Sequence, residues 1–247
     1  MSGAEAFRAL HRGRAPGDPL VLPGPWDAAS ARVFAEAGFP ALATPSHGVA
    51  ASLGYEDGRT PADEMFAAVA RIARAVDVPV SADIEDGYGL APKELVERLL
   101  EAGAVGCNLE DSSGGTLKDP QEHAGFLAEV RSAAADRLFL NARVDVFAHG
   151  DGDPERAVER AALYTAAGAD CVYPILAPAD VLPLLRAGIQ GPLNMLARLD
   201  GTGPSPTELG ELGATRITFG PGLQRRAAQA LGDIAAGLVR RAAGPMR

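Results

Sequence analysis

Three acidic residues stand at the ends of two neighbouring apolar stretches. Asp83 lies at the end of the stretch 79–84 and Glu85 directly follows it, while Glu110 ends the stretch 105–110. The carboxyl ends of parallel strands share one edge of a sheet, so we expect these carboxylates to converge. Their mutual repulsion favours a hard cation, and Mg²⁺ accepts few carboxylates and keeps its waters. The pattern predicts a Mg²⁺ site, with solvated turn acids as the alternative, and the absence of histidine argues against zinc.

Arg143 ends the next apolar stretch, 138–143. Arg143 is the sole basic residue among the strand-end positions, and its guanidinium beside a metal suits a carboxylate or phosphonate substrate. A structural ion pair with Asp145, or with an acid of the fourth strand, is the alternative. Asn194 belongs to the seventh predicted strand, among the strand-end positions, and is assigned to substrate binding. Asp111 is assigned to the cap of the next loop.

Two further segments offer groups to an anionic substrate. Ser46, His47 and Gly48 provide consecutive backbone amides and a hydroxyl, which predicts an anion nest. His47 has no visible side-chain partner, so its backbone is the expected contributor. The loop 54–58 brings Asp57 over the site, unless this loop is a plain turn. Trp26 is assigned to substrate binding, and a packing role over the barrel is its alternative.

The elements that position these residues recur regularly. Gly38, Gly103 and Gly168 each end a predicted helix and are spaced 65 residues apart, which corresponds to two strand-helix units. Polar residues before proline, at Thr60 and Asp153, mark helix starts. Eight strands and intervening amphipathic helices predict a (β/α)8 TIM barrel, since no Gly-x-Gly-x-x-Gly follows the first strand as in a doubly wound sheet. The strands are predicted at 20–23, 40–44, 79–84, 105–110, 138–143, 170–175, 192–196 and 215–219.

Composition limits the class of protein. The 247 residues are 47% hydrophobic and 22% charged, which fits one globular domain, 1–247, with a short N-terminal segment at 1–18. Twenty-three basic against 32 acidic residues give a net charge of -9, which argues against nucleic-acid binding. The chain lacks an unbroken apolar run of 18 residues, so a membrane partner is not expected.

The cysteines and the remaining histidines form no motif. Cys107 and Cys171 lie inside predicted strands without metal or disulfide spacing, which indicates buried packing in a reducing cytoplasm. His11, His123 and His149 have no pattern around them and receive no role.

Four phrases, in order along the chain, resemble the isocitrate lyase / phosphoenolpyruvate mutase superfamily. They are PGPWDAASA at 23–31, VSADIEDGYG at 80–89, NLED at 108–111 and NARVD at 141–145. The resemblance runs from about residue 20 to 221. It implies a (β/α)8 barrel, usually with its eighth helix swapped within a dimer of dimers, and a Mg²⁺ site for 2-oxo acids or their enolates.

The resemblance also implies roles for individual residues. Asp83 resembles the direct metal ligand, and Glu85 and Glu110 resemble ligands acting through metal-bound waters. Ser46 and the next two amides resemble the nest for the substrate carboxylate. Asp57 corresponds to the acid over the reacting carbon, and Arg143 to the substrate clamp.

Departures from the family pattern reduce the number of reactions that the resemblance implies. The loop after the fourth strand lacks the Cys and His of the isocitrate and methylisocitrate lyases, and Ile175 stands where they carry Glu. Family members that act on phosphonopyruvate typically carry an Asn and several basic residues in this loop, whereas this sequence has only Lys118 there. Gly114 and Gly115 would permit the loop 111–120 to close as a lid.

Three functions follow as hypotheses. The first is a Mg²⁺-dependent lyase or hydrolase that cleaves a small 2-oxo or 2-hydroxy carboxylate. The second is a mutase-like enzyme acting on P–C bonds, and the third is a barrel that has lost catalysis and serves as a binding protein. A homo-oligomer is expected, and only one final helix, near 222–242, follows the eighth strand.

Overall fold

The computed structural model describes residues 2–242. Met1 and residues 243–247 of the predicted single domain lie outside the described residues. The strands are β1 (Leu20–Val21), β2 (Leu42–Ala43), β3 (Val80–Asp83), β4 (Gly106–Leu109), β5 (Ser112–Ser113), β6 (Thr116–Leu117), β7 (Phe139–Val144), β8 (Cys171–Pro174), β9 (Asn194–Leu196) and β10 (Arg216–Thr218).

One helix precedes the first strand, and the others follow the barrel strands. They are α1 (Gly3–Leu10), α2 (Ala28–Glu36), α3 (Ser46–Leu53), α4 (Ala62–Ala73), α5 (Pro92–Glu101), α6 (Pro120–Ala134), α7 (Val146–His149), α8 (Pro154–Ala166), α9 (Leu182–Gly188), α10 (Pro206–Glu211) and α11 (Gly222–Ala242). A short 3₁₀ turn, Ala179–Val181, precedes α9. Among the described helices, none combines the length and apolar character needed to cross a membrane.

Eight parallel strands form a closed ring. Five pair in the order β2-β3-β4-β7-β8 and three in the order β1-β10-β9. A parallel bridge between Val172 and Leu193 joins β8 to β9. The Ala43 amide donates to the Pro23 carbonyl at 3.1 Å and joins β2 to β1. The predicted (β/α)8 barrel is therefore confirmed.

All eight predicted strands are present at the predicted places, and most are shorter. Gly38, Gly103 and Gly168 adopt φ values of 93°, 78° and 100°, which confirms them as left-handed helix ends. Asp153 caps α8 by accepting from the Glu155 amide, as predicted. The predicted cap at Thr60 is wrong, because Pro61 occupies the cap position of α4 and makes no side-chain bond.

The core lies between the barrel and its helices. Leu95, Val96 and Leu99 of α5 are buried against the sheet, as expected of an amphipathic helix between two strands. Cys107 and Cys171 are buried and free. Burial raises the pKa of each thiol to about 12, so the predicted packing role is confirmed.

The N-terminal segment is an ordered helix that covers the amino ends of the strands. Phe7 of α1 meets the Phe139 ring edge-on at 5.1 Å, and His11 stacks on the same ring at 4.2 Å. The His11 ring nitrogen Nδ1 lies 2.8 Å from the Phe7 carbonyl. Burial, aided by the Arg216 charge, lowers the pKa of His11 to about 3. His11 therefore belongs to the core of this end of the barrel.

The final helix, α11, has the predicted bounds of 222–242. Its apolar side chains at Leu231, Ile234, Leu238 and Val239 are 60% to 69% exposed. Exposed apolar side chains on one helix are typical of a surface that meets another protein.

Candidate active site

A cavity of about 670 Å³ opens at the carboxyl ends of the barrel strands. It brings together seven of the predicted site residues, which come from four different strand ends or the loops after them. Those seven are Ser46, His47, Asp57, Asp83, Glu85, Glu110 and Arg143. The cavity lies where the chemistry of this fold is expected.

Ser46 and Asp83 form the centre of the site. Ser46 is the first residue of α3, and both its amide, at 3.3 Å, and its hydroxyl, at 3.1 Å, donate to Oδ2 of Asp83. Pro45 caps α3 without a side-chain bond, and the first amides of a helix have no partner within it. The start of α3 therefore presents N–H groups and its positive dipole end to an anion.

Two buried carboxylate oxygens have no hydrogen-bond partner within residues 2–242. They are Oδ1 of Asp83 and Oε1 of Glu85. The buried Tyr88 hydroxyl lies near Glu85 and partly offsets the rise in its pKa that burial causes, but it does not reach hydrogen-bond geometry with this oxygen, so Asp83 is the stronger case. Glu85 also adopts a left-handed φ of 53°, a strained backbone conformation that often marks functional sites. Burial and the Asp83 charge raise the pKa of Glu85 to about 7, and burial raises the pKa of Asp83. Two unpartnered carboxylate oxygens at one edge of a cavity fit a bound cation.

Arg143 lies between two carboxylates. Its Nη1 donates to Glu110 Oε1, while Nε and Nη2 donate to the two oxygens of Asp145 at 2.6 and 3.1 Å. Burial raises the pKa of Glu110 although Arg143 opposes this shift. The ion pairs named as the alternative for Arg143 are therefore present, and Arg143 lines the cavity at the same time.

A buried hydrogen-bond network holds Asp145 in place and, through it, Arg143. Asp111 is fully buried and accepts from the Asp145 amide at 2.7 Å, from Arg160 at 2.8 Å and from Tyr164 at 2.7 Å. Ser112 donates to Asp145. The sequence assigns Asp111 only to a loop cap, because Arg160 and Tyr164 lie about 50 residues away on α8.

The loop 111–120 is folded as an antiparallel hairpin. Ser112 and Ser113 pair with Thr116 and Leu117 across the turn at Gly114–Gly115, where both glycines have positive φ. The hairpin contributes residues to the cavity wall. Lys118 does not line the cavity, since it pairs with Asp86 at 3.6 Å.

The His47 side chain has two partners that the sequence did not indicate, although its backbone was the expected contributor. Nδ1 lies 3.0 Å from Oδ2 of Asp57, and Nε2 lies 3.0 Å from Nη2 of Arg225. Arg225 belongs to α11 and is 178 positions away in the sequence. No local pattern could have indicated this contact.

Three predicted binding residues do not line the cavity. Trp26 packs edge-on against Phe34 with ring centres 6.4 Å apart. Gly48 faces α11, and Asn194 is buried in the barrel interior, where it accepts from Thr218 at 3.3 Å.

The cavity is strongly acidic. Five carboxylates line it, at Asp57, Asp83, Glu85, Asp86 and Glu110, against the two arginines Arg59 and Arg143. An anionic substrate would be repelled unless a cation bound with it. Among the described residues, no group of three His, Cys, Asp or Glu side chains is arranged to hold a metal directly. A cation here would therefore take most of its ligands from water or substrate, as Mg²⁺ does.

The family follows from comparison with known proteins. The sequence model described as phosphoenolpyruvate phosphomutase matches residues 7–239. The chain belongs to the phosphoenolpyruvate mutase family. It is 33% identical to the probable 2-methylisocitrate lyase 2 of Corynebacterium glutamicum over 259 residues, covering 95% of this chain and 82% of that protein.

Solved structures of family members share the fold. A protein from Burkholderia cenocepacia J2315 superposes with a TM-score of 0.89 at 35% identity, covering 96% of this chain and 88% of that one. Oxaloacetate acetylhydrolase in complex with the product oxalate gives a TM-score of 0.83 at 25% identity, covering 99% and 88%. The resemblance seen in the four sequence phrases is thus confirmed, and the relatives of this family member include lyases, mutases and hydrolases.

Proposed function

We propose that this family member is a Mg²⁺-dependent enzyme that cleaves a C–C bond in a small 2-oxo or 2-hydroxy carboxylate. The observation that carries the proposal is the pair of unpartnered oxygens, Oδ1 of Asp83 and Oε1 of Glu85, at a cavity with an excess of acids. Asp83 would bind Mg²⁺ directly, and Glu85 and Glu110 would bind its waters. The metal supplies Lewis acidity that stabilises enolate charge at the substrate oxygen.

The chain's own residues would orient the substrate. Ser46 and His47 at the start of α3 line the cavity, and the His47 amide, in the first turn of the helix, suits a carboxylate. Arg143 lies across the cavity, fixed by Asp145 and Glu110, and offers its remaining N–H groups to a second oxygen. Asp57 lines the cavity and is held by His47, which suits an acid that moves a proton at the reacting carbon.

Cleavage of a C–C bond is favoured over P–C chemistry by the charges in the cavity. Lys118 pairs with Asp86 instead of lining the cavity, which removes the single basic residue of that loop from the substrate. Ile175 and Leu176 add an apolar wall that suits a carbon chain. The relatives named above include a methylisocitrate lyase and an oxaloacetate acetylhydrolase, both of which act on carboxylates by name.

A P–C bond enzyme is the second candidate, because the matching family model is that of phosphoenolpyruvate phosphomutase. A barrel that has lost catalysis is the third candidate, because the loop after the fourth strand lacks the general-acid Cys of the lyases and Ile175 stands where they carry Glu. Proton NMR of a panel of 2-oxo and 2-hydroxy carboxylates with Mg²⁺, and phosphorus NMR of phosphonopyruvate, separate the three. Consumption of phosphonopyruvate alone would favour the second candidate, and no turnover with retained oxalate binding would favour the third.

We also propose that the protein is a cytoplasmic homo-oligomer, a dimer or a dimer of dimers, in which α11 packs on a neighbouring copy. The exposed side chains of Leu231, Ile234, Leu238 and Val239 support this arrangement. Light scattering of the parent and of Leu231→Asp/Leu238→Asp tests it. The parent should be oligomeric and the double variant smaller, and a monomeric parent would contradict the proposal.

A further inference from the structure

We propose that Arg225 and His47 form a positioning relay for Asp57, through which the first turn of α11 sets the orientation of the acid over the cavity. The catalytic role of Asp57 rests on the proposed function. The relay itself rests on one hydrogen bond, between Arg225 and His47, and on one close contact, in which His47 Nδ1 lies 3.0 Å from Oδ2 of Asp57. His47 and Asp57 belong to neighbouring segments, and Arg225 comes from the distant helix α11.

The donors and acceptors of the relay follow from the chemistry of arginine. A guanidinium only donates, so the contact from Arg225 Nη2 requires an unprotonated Nε2 on His47. The proton of the neutral imidazole must then lie on Nδ1, the nitrogen that is 3.0 Å from Oδ2 of Asp57. A doubly protonated His47 would lose the Arg225 contact, because both of its nitrogens would be donors. Arg225 therefore selects the tautomer that holds Asp57.

Asp57 needs such a partner because its loop leaves it open to solvent. Its side chain is 53% exposed, against 34% for His47. His47 is the second residue of α3, directly after Ser46, which donates to Asp83. The relay thus ties Asp57 to the same helical turn that orients the proposed metal ligand, and the two carboxylates keep a fixed spacing.

Close packing between α3 and α11 makes the relay possible. A Cβ atom at Gly48 would lie 2.9 Å from Pro45 Cγ and 3.4 Å from Gln224 Cβ. The Gln224 distance is an ordinary van der Waals contact, so α11 touches α3 at this position, and the Pro45 ring is the group that limits a side chain there. Gly48, expected to contribute an amide to an anion nest, also lies where α11 contacts α3, next to the residue that bonds Arg225.

Nitrogen NMR of the histidine side chains tests the relay without any substrate. In ¹⁵N-labelled full-length protein, the His47 signals are assigned by their loss in His47→Gln. The parent should show a protonated Nδ1 and an unprotonated Nε2. Arg225→Ala should shift the His47 nitrogens towards the averaged values of a free imidazole, and Arg225→Lys, which can still donate, should restore most of the parent pattern.

Arg226→Ala is the matched control. Arg226 is the next residue of α11, and it bonds the Leu199 carbonyl at 3.1 Å instead of His47. This variant should leave the His47 pattern unchanged. A protonated Nε2 in the parent, or an Arg225→Ala spectrum identical to that of the parent, would overturn the relay. Failure of the parent to bind Mg²⁺ with oxalate would overturn the proposed function while leaving the NMR result intact.

Discussion

Ser46 donates both its amide and its hydroxyl to one oxygen of Asp83, at 3.3 and 3.1 Å. The other oxygen, Oδ1, has no hydrogen-bond partner anywhere in residues 2–242. One half of the carboxylate is thus fixed by the start of α3, and the other half is left for a ligand. Outer partners of this kind typically change metal affinity about 10- to 100-fold when removed.

Ser46→Ala should therefore weaken Mg²⁺ binding by about 10- to 100-fold, measured by calorimetry. The remaining amide bond keeps Asp83 near its place, so some binding should persist. Ser52→Ala is the control, since Ser52 lies on the same helix and bonds the Val49 carbonyl at 2.8 Å. Equal Mg²⁺ affinity in Ser46→Ala and the parent would contradict the positioning role of Ser46.

Glu85 should make the metal-free protein less stable as the pH rises. Its pKa is raised from 4.5 to about 7 in the folded state, so the folded protein holds this proton more tightly than the unfolded chain. The resulting stabilisation is present below about pH 4.5 and is lost as the pH rises through about 7. Glu85→Gln should then raise the free energy of unfolding at about pH 8 by on the order of 1 kcal/mol, after allowance for solvent screening.

Urea unfolding with a chelator present measures this difference for Glu85→Gln across the pH range. The gain should shrink towards about pH 4.5, where the parent carboxyl is protonated in both states. Glu129→Gln, at an exposed position of α6, is the control and should change little. A pH-independent difference would contradict the assignment of the shift to Glu85.

The buried network behind the site should be essential for stability. Arg160→Met leaves the fully buried Asp111 with no cation, and loss of one partner of a buried ion pair costs about 3–5 kcal/mol. Tyr164→Phe removes one hydrogen bond to the same carboxylate and should cost about 1–3 kcal/mol. Urea unfolding measures both, and a cost below about 1 kcal/mol for Arg160→Met would show that Asp111 is not held by this charge.

Replacement of two glycines by alanine should change the stability of the protein in opposite directions. A Cβ at Gly106 would lie 2.7 Å from the backbone oxygen of Phe139 on the neighbouring strand, which cannot move away without breaking the barrel. Gly106→Ala should cost about 1–3 kcal/mol. Gly125→Ala, inside α6 with open space around it, should stabilise by about 0.5–1 kcal/mol. Thermal unfolding compares the two, and a stabilising Gly106→Ala would contradict the close β4–β7 contact.

The barrel and most of the cavity could be predicted from the sequence because their signals are local. Short apolar stretches, helix-ending glycines and acids at strand ends lie within a few residues of one another, and Asp83, Glu85 and Glu110 converge as expected. Contacts between distant segments could not be predicted. Asp111 meets Arg160 across about 50 residues, and His47 meets Arg225 across 178.

Other features were missed because their local pattern is weak. The hairpin at 112–117 contains serine, threonine and glycine and lacks an alternating apolar pattern. The helix α1 depends on Phe7, whose partner Phe139 lies on β7. Asn194 was assigned to the rim because of its residue type, and its position on β9 directs it to the barrel interior instead.

Calorimetric titration of oxalate into the protein, with and without Mg²⁺, tests the central claim most directly. Oxalate resembles the enolate of pyruvate, and it should bind the parent only when Mg²⁺ is present. Asp83→Ala should lose both Mg²⁺ binding and Mg²⁺-dependent oxalate binding, while Ser52→Ala keeps both. An Asp83→Ala protein that binds Mg²⁺ as tightly as the parent would contradict the proposed metal site.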